Sequence, residues 1–346
     1  MAAELQSTRY DVADTAAAVE FYFDKGWTDG LPVVPPTENA IWGMLESAGL
    51  EPQAEITFID NRQVSVTAEK VAINGVMAGC KPEYMPVLVA AVEAMGDPLW
   101  CYHGPATSTG GSAVFAVVNG PIAEELGLNH GDNLFGPGWR ANAAIGRALR
   151  LVMRNVIGTL PGRLDRSTLG HSGKYSFCIA ENEAESPWPA LHVERGFRPE
   201  QNAVTILAAL APHQFYNQLS NTAEGILTTA CAHMRISAGI RSHPQYVLVL
   251  AGEHMQVIGQ DGWSKDDMRR FCFEHTHSPA AELKRMHVMA GEISAADETA
   301  MVPLVPTPED FLIVAAGSRA GAFSAFIPGW GSKSTSQSVT REIRRP

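Results

Sequence analysis

The sequence predicts an α/β fold in which mixed sheets are covered by helices. Continuous apolar runs at 113–118 and 246–251 each end in a glycine turn, which is typical of a buried strand. Helical periodicity occurs between such runs over most of the chain, and strands separated by helices favour an α/β arrangement. With 346 residues, of which 45% are hydrophobic, the chain is long enough to bury a large core.

The individual elements follow from local signals. Helical patterns at 15–25 and 38–48 flank the proline-rich segment 27–37, in which a helix cannot propagate. Residues 56–59 and 64–67 flank a polar turn and predict a β-hairpin. Later helices are predicted at 70–77, 83–95, 140–154, 223–236 and 265–275. Further strands are predicted at 174–180, 203–210 and 311–316.

Two segments, 113–127 and 245–259, share one pattern of strand, glycine turn, short helix and closing glycine. The same offset aligns Gly120 with Gly252 in their turns. This predicts equivalent strand–turn–helix units whose turns approach one shared cleft, where ligands commonly bind. Chance similarity over so few positions is the alternative interpretation.

The duplication suggests two pseudo-equivalent halves. The first is an N-terminal α/β half, residues 1–200, which includes the proline-rich segment. The second is a C-terminal α/β half, residues 201–346. The parallel or mixed character of each sheet cannot be read from the pattern.

Composition excludes several classes of function. A net charge of −11 and a pI near 5.5 disfavour binding to nucleic acid or to an anionic membrane. No window approaches the length of an apolar membrane span, and the first residues lack a secretory signal. Five cysteines without a Cys-x-x-Cys pair predict reduced thiols. We expect a cytoplasmic homo-oligomer without a membrane or nucleic-acid partner.

The predicted helix after the Gly-Pro-Gly turn carries a stripe of arginines on one face: Arg140, Arg147, Arg150 and Arg154. No acidic residue occurs between 132 and 165, so their counter-ions lie elsewhere. One interpretation is buried ion pairs to other segments. The other is a small anionic molecule held at the helix N-terminus and by Arg140 or Arg147, with Asn142 and Asn74 as further substrate-binding candidates.

Candidate catalytic chemistry begins with Cys80, which lies in a helix break beside Lys81. Such a position lowers a thiol pKa and exposes the thiolate. His103 lies in a turn-rich region reaching 110–111, where the backbone could wrap a ligand, and is a candidate base for Cys80. A buried packing role for Cys80 is the alternative.

Glu181 is the third catalytic candidate. It lies in a concentration of polar residues, 174–195, at the exit of an apolar strand, where α/β folds place function. A buried Glu there could act as general acid or base. The alternative is a salt-bridged loop that supplies counter-ions to the arginine stripe.

Metal and cofactor motifs are weak. His254 beside Glu253, and His130, are candidate ligands, but no standard zinc pattern is present. The chain also lacks a Walker A loop, a nucleophile elbow and a dinucleotide fingerprint. The cofactor therefore stays unknown at this point.

Five segments carry a resemblance to a known family: residues 27–37, 72–84, 136–142, 174–183 and 326–331. They resemble a largely uncharacterised bacterial family, similar to proteins found adjacent to or fused with UGSC-type (seleno)proteins. Those neighbours carry a redox-type cysteine or selenocysteine motif, so the resemblance implies a redox-type partner protein. This chain lacks the Cys-Gly-Ser-Cys element, which makes any redox association indirect.

Three functions follow as hypotheses. The favoured one is an enzyme, of oxidoreductase or lyase class, that acts on a small anionic organic substrate by thiol or acid/base chemistry and has a redox link as an option. The second is a metal-dependent hydrolase or lyase that uses His and carboxylate ligands. The third is a non-catalytic subunit that docks a redox partner.

Overall fold

The computed structural model describes residues 4–237 and 245–346. Its helices are α1 Thr15–Asp24, α2 Glu38–Ala48, α3 Ala68–Ala78, α4 Met85–Met95, α5 His103–Thr107, α6 Ile122–Glu125, α7 Arg140–Asn155, α8 Leu191–Glu194, α9 Ala223–Ser237, α10 Gly252–Gln260, α11 Lys265–His275 and α12 Ala280–Arg285. Its strands are β1 Glu55–Ile59, β2 Val64–Thr67, β3 Ala113–Asn119, β4 Cys178–Ala180, β5 Ala203–Ala209, β6 His213–Tyr216, β7 Tyr246–Leu250, β8 Ser278–Pro279, β9 Met301–Val302, β10 Phe311–Ala315, β11 Phe323–Pro328 and β12 Val339–Glu342.

The predicted α/β class is confirmed, and the strands form two mixed four-stranded sheets. One has the order β12-β5-β3-β4 and the other the order β10-β7-β11-β6. In each sheet one neighbouring pair is parallel, β3 with β4 and β7 with β10, and the remaining neighbours are antiparallel. The predicted hairpin is the antiparallel pair β1-β2, and β8 pairs with β9.

The two sheets pack face to face between two layers of helices. Side chains alternate along a strand. Val117 of β3 and Val249 of β7 therefore lie in one core between the sheets. Val118 faces a second core under α2, α3, α4 and α7, and Leu248 faces a third under α9, α10 and α11. Strands buried on both faces explain the continuous apolar runs in the sequence.

The sheets have equivalent topologies apart from one exchanged strand. β3 begins at residue 113 and β4 at 178, while β7 begins at 246 and β10 at 311, which is the same separation. β5 and β11 then pair antiparallel to β3 and β7. The fourth strand is exchanged, because β6 follows β5 in the chain but pairs with β11, whereas β12 follows β11 and pairs with β5.

The predicted strand–turn–helix units are both formed, as β3 with α6 and as β7 with α10. Their turns lie at the same end of the two sheets, on either side of the segment 181–185. Gly120 donates its N–H to Glu183 at 2.7 Å, and Gly252 lies against Arg319, which pairs with Glu185. The predicted boundary between the two halves, after residue 200, falls between β4 and β5. Both strands pair with β3 and belong to the same sheet.

Several element boundaries have clear local causes. The Thr37 side chain accepts the N–H of Ala40 at the start of α2, and Gly49 ends that helix with φ 63°. Ser264 and Asp267 form a capping box at the start of α11. None of the helices in the described ranges is both long and apolar enough to cross a membrane.

Two predicted elements differ from the structure. The helix expected from residue 83 begins at Met85, because residues 82–84 form a 3₁₀ turn that starts with a proline. The strand expected at 174–180 is shortened to Cys178–Ala180, since residues 172–174 form another 3₁₀ turn. Both differences reflect local turns that hydrophobic periodicity does not register.

Candidate functional site

The arginine stripe of α7 finds its partners on distant segments, as its lack of local acids predicts. Arg147 makes a two-bond ion pair with Asp29, from Nε to Oδ2 and from Nη2 to Oδ1, both at 2.8 Å. Its Nη2 also donates to the carbonyls of Leu31 and Pro32. Burial acts to raise the pKa of Asp29, but the bonds and charge of Arg147 outweigh it and lower that pKa. Arg147 therefore anchors the proline-rich segment to α7.

The other predicted substrate-binding residues also bond to the protein itself. Arg140 donates from Nε and Nη2 to the carbonyl of Gly79, at 3.0 and 2.9 Å. Buried Asn142 bonds both the N–H and the carbonyl of Asn129. Buried Asn74 bonds the carbonyl of Lys70 and, in addition, the amide of Asn155. Arg140 lies at the start of α7, and its side chain is exposed.

The exposure and lowered pKa expected of Cys80 are wrong. Its side chain is buried in the core beneath α3, and burial raises its pKa despite the nearby charge of Arg140. His103 is exposed on α5, and no hydrogen bond within the described ranges joins it to Cys80. Cys101 is the most accessible thiol, since the other four cysteines are buried. The catalytic pairing of Cys80 with His103 has no support in this geometry.

Glu181 lies at the meeting point of the two sheets, with a fully buried side chain. One oxygen accepts from Asn119 Nδ2 and the N–H of Leu191, both at 2.7 Å. The other accepts from the N–H of Ala315 at 3.3 Å and from Lys265 Nζ at 3.5 Å. Four donors on different elements thus converge on one carboxylate, which joins the two sheets at this end.

Lys265 continues the buried network outwards. Its ammonium group lies 3.0 Å from Glu194, which also pairs with Arg269 at 2.7 Å. Buried His192, on the same short helix α8, lies 3.9 Å from Glu183, and neither of its ring nitrogens has a hydrogen-bond partner in the described part of the chain. The sequence places Lys265 only at the start of a helix and does not identify it as a partner of Glu181. Segment 181–185 lies between the two turns, where the sequence predicts a shared cleft.

The candidate metal ligands do not come together. His254 is buried, and its ring nitrogens contact Ser324 Oγ at 2.8 Å and the carbonyl of Asn217 at 3.1 Å. Glu253 is exposed, whereas His130 bonds through its backbone to Gly317. Within residues 4–237 and 245–346, no group of three or more His, Cys, Asp or Glu side chains could hold a metal ion.

A different set of polar side chains meets at the other end of the β12-β5-β3-β4 sheet, opposite Glu181. Ser167 Oγ lies 2.6 Å from Lys174 Nζ and donates to Asp165 Oδ1 at 2.5 Å. Lys174 also bonds Asp165 Oδ2 at 2.7 Å, and Arg150 of the α7 stripe bonds the same oxygen. We call these four residues the Lys174 cluster. It joins two cations, one carboxylate and one hydroxyl.

Electrostatics in the Lys174 cluster are set by burial and by charge pairing. The side chains of Arg150 and Lys174 are 13% and 15% exposed. Burial raises the pKa of Asp165, but the bonds from Lys174 and Ser167 and the charge of Arg150 hold it far below its usual range. For Lys174, burial and the Arg150 charge lower the pKa, against the opposing effect of Asp165. Asp165 therefore stays ionised while Lys174 gives up its proton more readily than an exposed lysine.

Two loops that contain glycine lie beside the Lys174 cluster, one before β3 and one before β4. Gly111 and Gly170 both have positive φ, 75° and 67°, and a Cβ on Gly111 would lie 3.0 Å from the nitrogen of Gly170. The same Cβ would lie 3.4 Å from Ser167 Cβ. Trp330 covers the first loop and donates its indole N–H to Ser108 Oγ at 2.7 Å. Only glycine permits this close approach of the two loops.

The sequence places Lys174 in a polar segment and residues 110–111 in a turn-rich region, but it does not indicate a role for Ser167. A signal was present in the Asp-x-Ser turn at 165–167, seven residues before Lys174. The participation of Arg150 requires knowledge of the fold. No family model matches the chain, and no curated protein is significantly similar to it.

Proposed function

We propose that the chain is an enzyme that binds a small anionic organic substrate and acts on it by acid/base chemistry at the Lys174 cluster. The observation that carries this proposal is the charge imbalance of Arg150 and Lys174, two largely buried cations that share the carboxylate of Asp165. An unbalanced buried cation is costly, so a bound anion is favoured there. Under this proposal, the anionic ligand expected at the arginine stripe binds beside Arg150 instead of Arg140 or Arg147.

Access and proton exchange support the same proposal. Ser167 is partly exposed, and the side chain of Leu169, on the same loop, is 95% exposed. Leu169 offers apolar surface to the organic part of a substrate. Lys174 has a lowered pKa, so it gives up its proton more readily than an exposed lysine, as a residue in acid/base chemistry requires. Acid/base chemistry is favoured over thiol chemistry, because Cys80 is buried.

Calorimetric titration with acetate, succinate, citrate and inorganic phosphate tests the anion site. We expect at least one of these anions to bind, and Lys174→Met to weaken that binding about 10-fold or more, the value of a charge-assisted hydrogen bond. Lys174→Arg keeps the cation and should keep binding. Arg166→Met, on the same loop but exposed, is the matched control and should bind as the wild type does. Absence of binding to the wild-type protein, or equal binding by Lys174→Met, contradicts the proposal.

A further inference from the structure

The hydroxyl of Ser167 has the surroundings of an activated nucleophile. It lies between a carboxylate and an amine on the same loop, 2.5 Å from Asp165 and 2.6 Å from Lys174. A second, weaker contact joins Oγ to the carbonyl of Ser108 at 3.4 Å. A serine is a poor nucleophile until a neighbouring base takes its proton, and Lys174 is within reach to do so.

We infer that Ser167 is the nucleophile of an acyl-transfer reaction on small esters or amides that carry an anionic group. The inference rests on the proposed function for the anionic group, which Arg150 attracts together with the protonated fraction of Lys174. It adds to that function a covalent step and a substrate class. Neither the thiol candidates nor Glu181 takes part in it.

The step balances without any reagent other than substrate and water. In the structure Lys174 donates to Ser167 Oγ, and the Ser167 hydroxyl donates to Asp165. When Lys174 is the neutral amine, the hydroxyl turns towards it, and Lys174 accepts the Ser167 proton as the bond from Oγ to the acyl carbon forms. The resulting ammonium gives that proton to the leaving oxygen or nitrogen as the old acyl bond breaks. Water then adds to the acyl carbon, its proton passes to Lys174, and Ser167 recovers a proton when the bond to Oγ breaks.

Asp165 and Arg150 are positioning residues in this scheme. Asp165 holds both Ser167 and Lys174, so their 2.6 Å contact is present before a substrate arrives. The positive charge of Arg150 lowers the pKa of Lys174 and so increases the fraction of Lys174 that is the amine. The close approach of Gly111 to Gly170 fixes the loop of Ser167 against the start of β3.

Covalent labelling with a fluorophosphonate probe tests the nucleophile directly. Intact-mass and peptide mass spectrometry should find one phosphonyl adduct, on Ser167. Ser167→Ala should remove the adduct. Ser172→Ala is the matched control, because Ser172 is an exposed serine of the same loop, and should label within twofold of the wild type. An adduct on another serine, or no adduct at all, overturns the inference.

The lysine variants separate this inference from the proposed function. Lys174→Arg keeps a cation that cannot act as a base, so it should bind carboxylates but label about 100-fold more slowly. Folding of each variant is checked by its thermal melting. Carboxylate binding without labelling of the wild type refutes the nucleophile and leaves the proposed function standing. Labelling without carboxylate binding refutes the anion site alone.

The pH profile of labelling gives a further readout. The charged or titratable groups around Lys174 are Asp165, Arg150 and His171, and burial with the Arg150 charge lowers the pKa of Lys174. The labelling rate should rise with pH as Lys174 loses its proton, and should level off below the ordinary pKa of a lysine. Arg150→Met should move that rise to higher pH. A rate that does not depend on pH between 6 and 10 contradicts Lys174 as the base.

Discussion

Replacing Glu181 tests whether its buried hydrogen bonds, which join the two sheets, stabilise the fold. In Glu181→Gln one acceptor oxygen becomes an amide donor, while four donors still face the side chain. The amide nitrogen should face the longer contacts, to Ala315 at 3.3 Å and Lys265 at 3.5 Å. The remaining oxygen then keeps the shorter bonds from Asn119 and Leu191, both at 2.7 Å, whose loss would cost more free energy. That orientation places a donor against the Lys265 ammonium group.

The expected cost is about 3–5 kcal/mol of unfolding free energy, the range for breaking a buried charge pair from one side. This is a large part of the about 5–15 kcal/mol that stabilises a typical domain. In a Lys265→Met background the donor conflict is reduced, so the same substitution should cost about 1–3 kcal/mol less. The two residues are therefore expected to be coupled.

Urea unfolding followed by tryptophan fluorescence measures all four members of this double-mutant cycle. The control is Arg319→Met, which breaks an ion pair at the surface, 3.2 Å long and with side chains 57% and 42% exposed. It should cost less than about 1 kcal/mol. A cost of Glu181→Gln below about 1 kcal/mol, or strict additivity with Lys265→Met, would refute the account of this cluster.

Three further predictions concern thiol reactivity, acid stability and loop packing. Brief iodoacetamide treatment should alkylate Cys101 before any other cysteine, since only its side chain is not buried; earlier labelling of Cys80, seen by peptide mass spectrometry, would contradict this. Burial lowers the pKa of His254 in the folded protein, so its contribution to stability is present above the unfolded pKa of about 6.5 and is lost as the pH falls. His254→Asn should flatten the decline of the urea midpoint between pH 7 and 5, and an unchanged decline would count against the assignment. Gly111→Ala should slow fluorophosphonate labelling of Ser167, because its Cβ would meet the Gly170 backbone, whereas Gly196→Ala, with positive φ but open space around it, serves as the control for backbone strain and should label normally.

The central strands could be predicted from sequence because both of their faces are buried. All residues of β3, β5, β7 and β10 are buried, so each appears as an apolar run, apart from Thr205 within β5 and Asn119 at the end of β3. The edge strands β6 and β12 each have one fully buried residue and carry polar side chains, which periodicity does not separate from a loop. Their exchange between the sheets depends on pairing across the whole chain and leaves no local signal.

The candidate site was predictable to a similar, partial extent. The absence of acids on α7 correctly indicated distant partners for its arginines, but Asp29 is 118 residues from Arg147, and nothing local identifies it. Cys80 directly follows a helix in the sequence, a position that predicts an exposed thiol, yet its side chain lies in the core beneath α3. Loop position alone therefore did not establish exposure.

Under the proposed function, the two ends of the β12-β5-β3-β4 sheet have different roles, because different side chains lie at them. At the carboxyl ends of β3 and β4, Asn119 and Glu181 meet the other sheet, and protein donors satisfy the buried carboxylate of Glu181. At the amino ends, Gly111 and Gly170 let the chain pass close to Ser167, and two cations, Arg150 and Lys174, share the carboxylate of Asp165. Substitutions at Glu181 should therefore lower stability before they affect binding. Lys174→Met should weaken anion binding and slow labelling. The order in which stability and binding fall in each variant therefore distinguishes the Glu181 network from the Lys174 cluster.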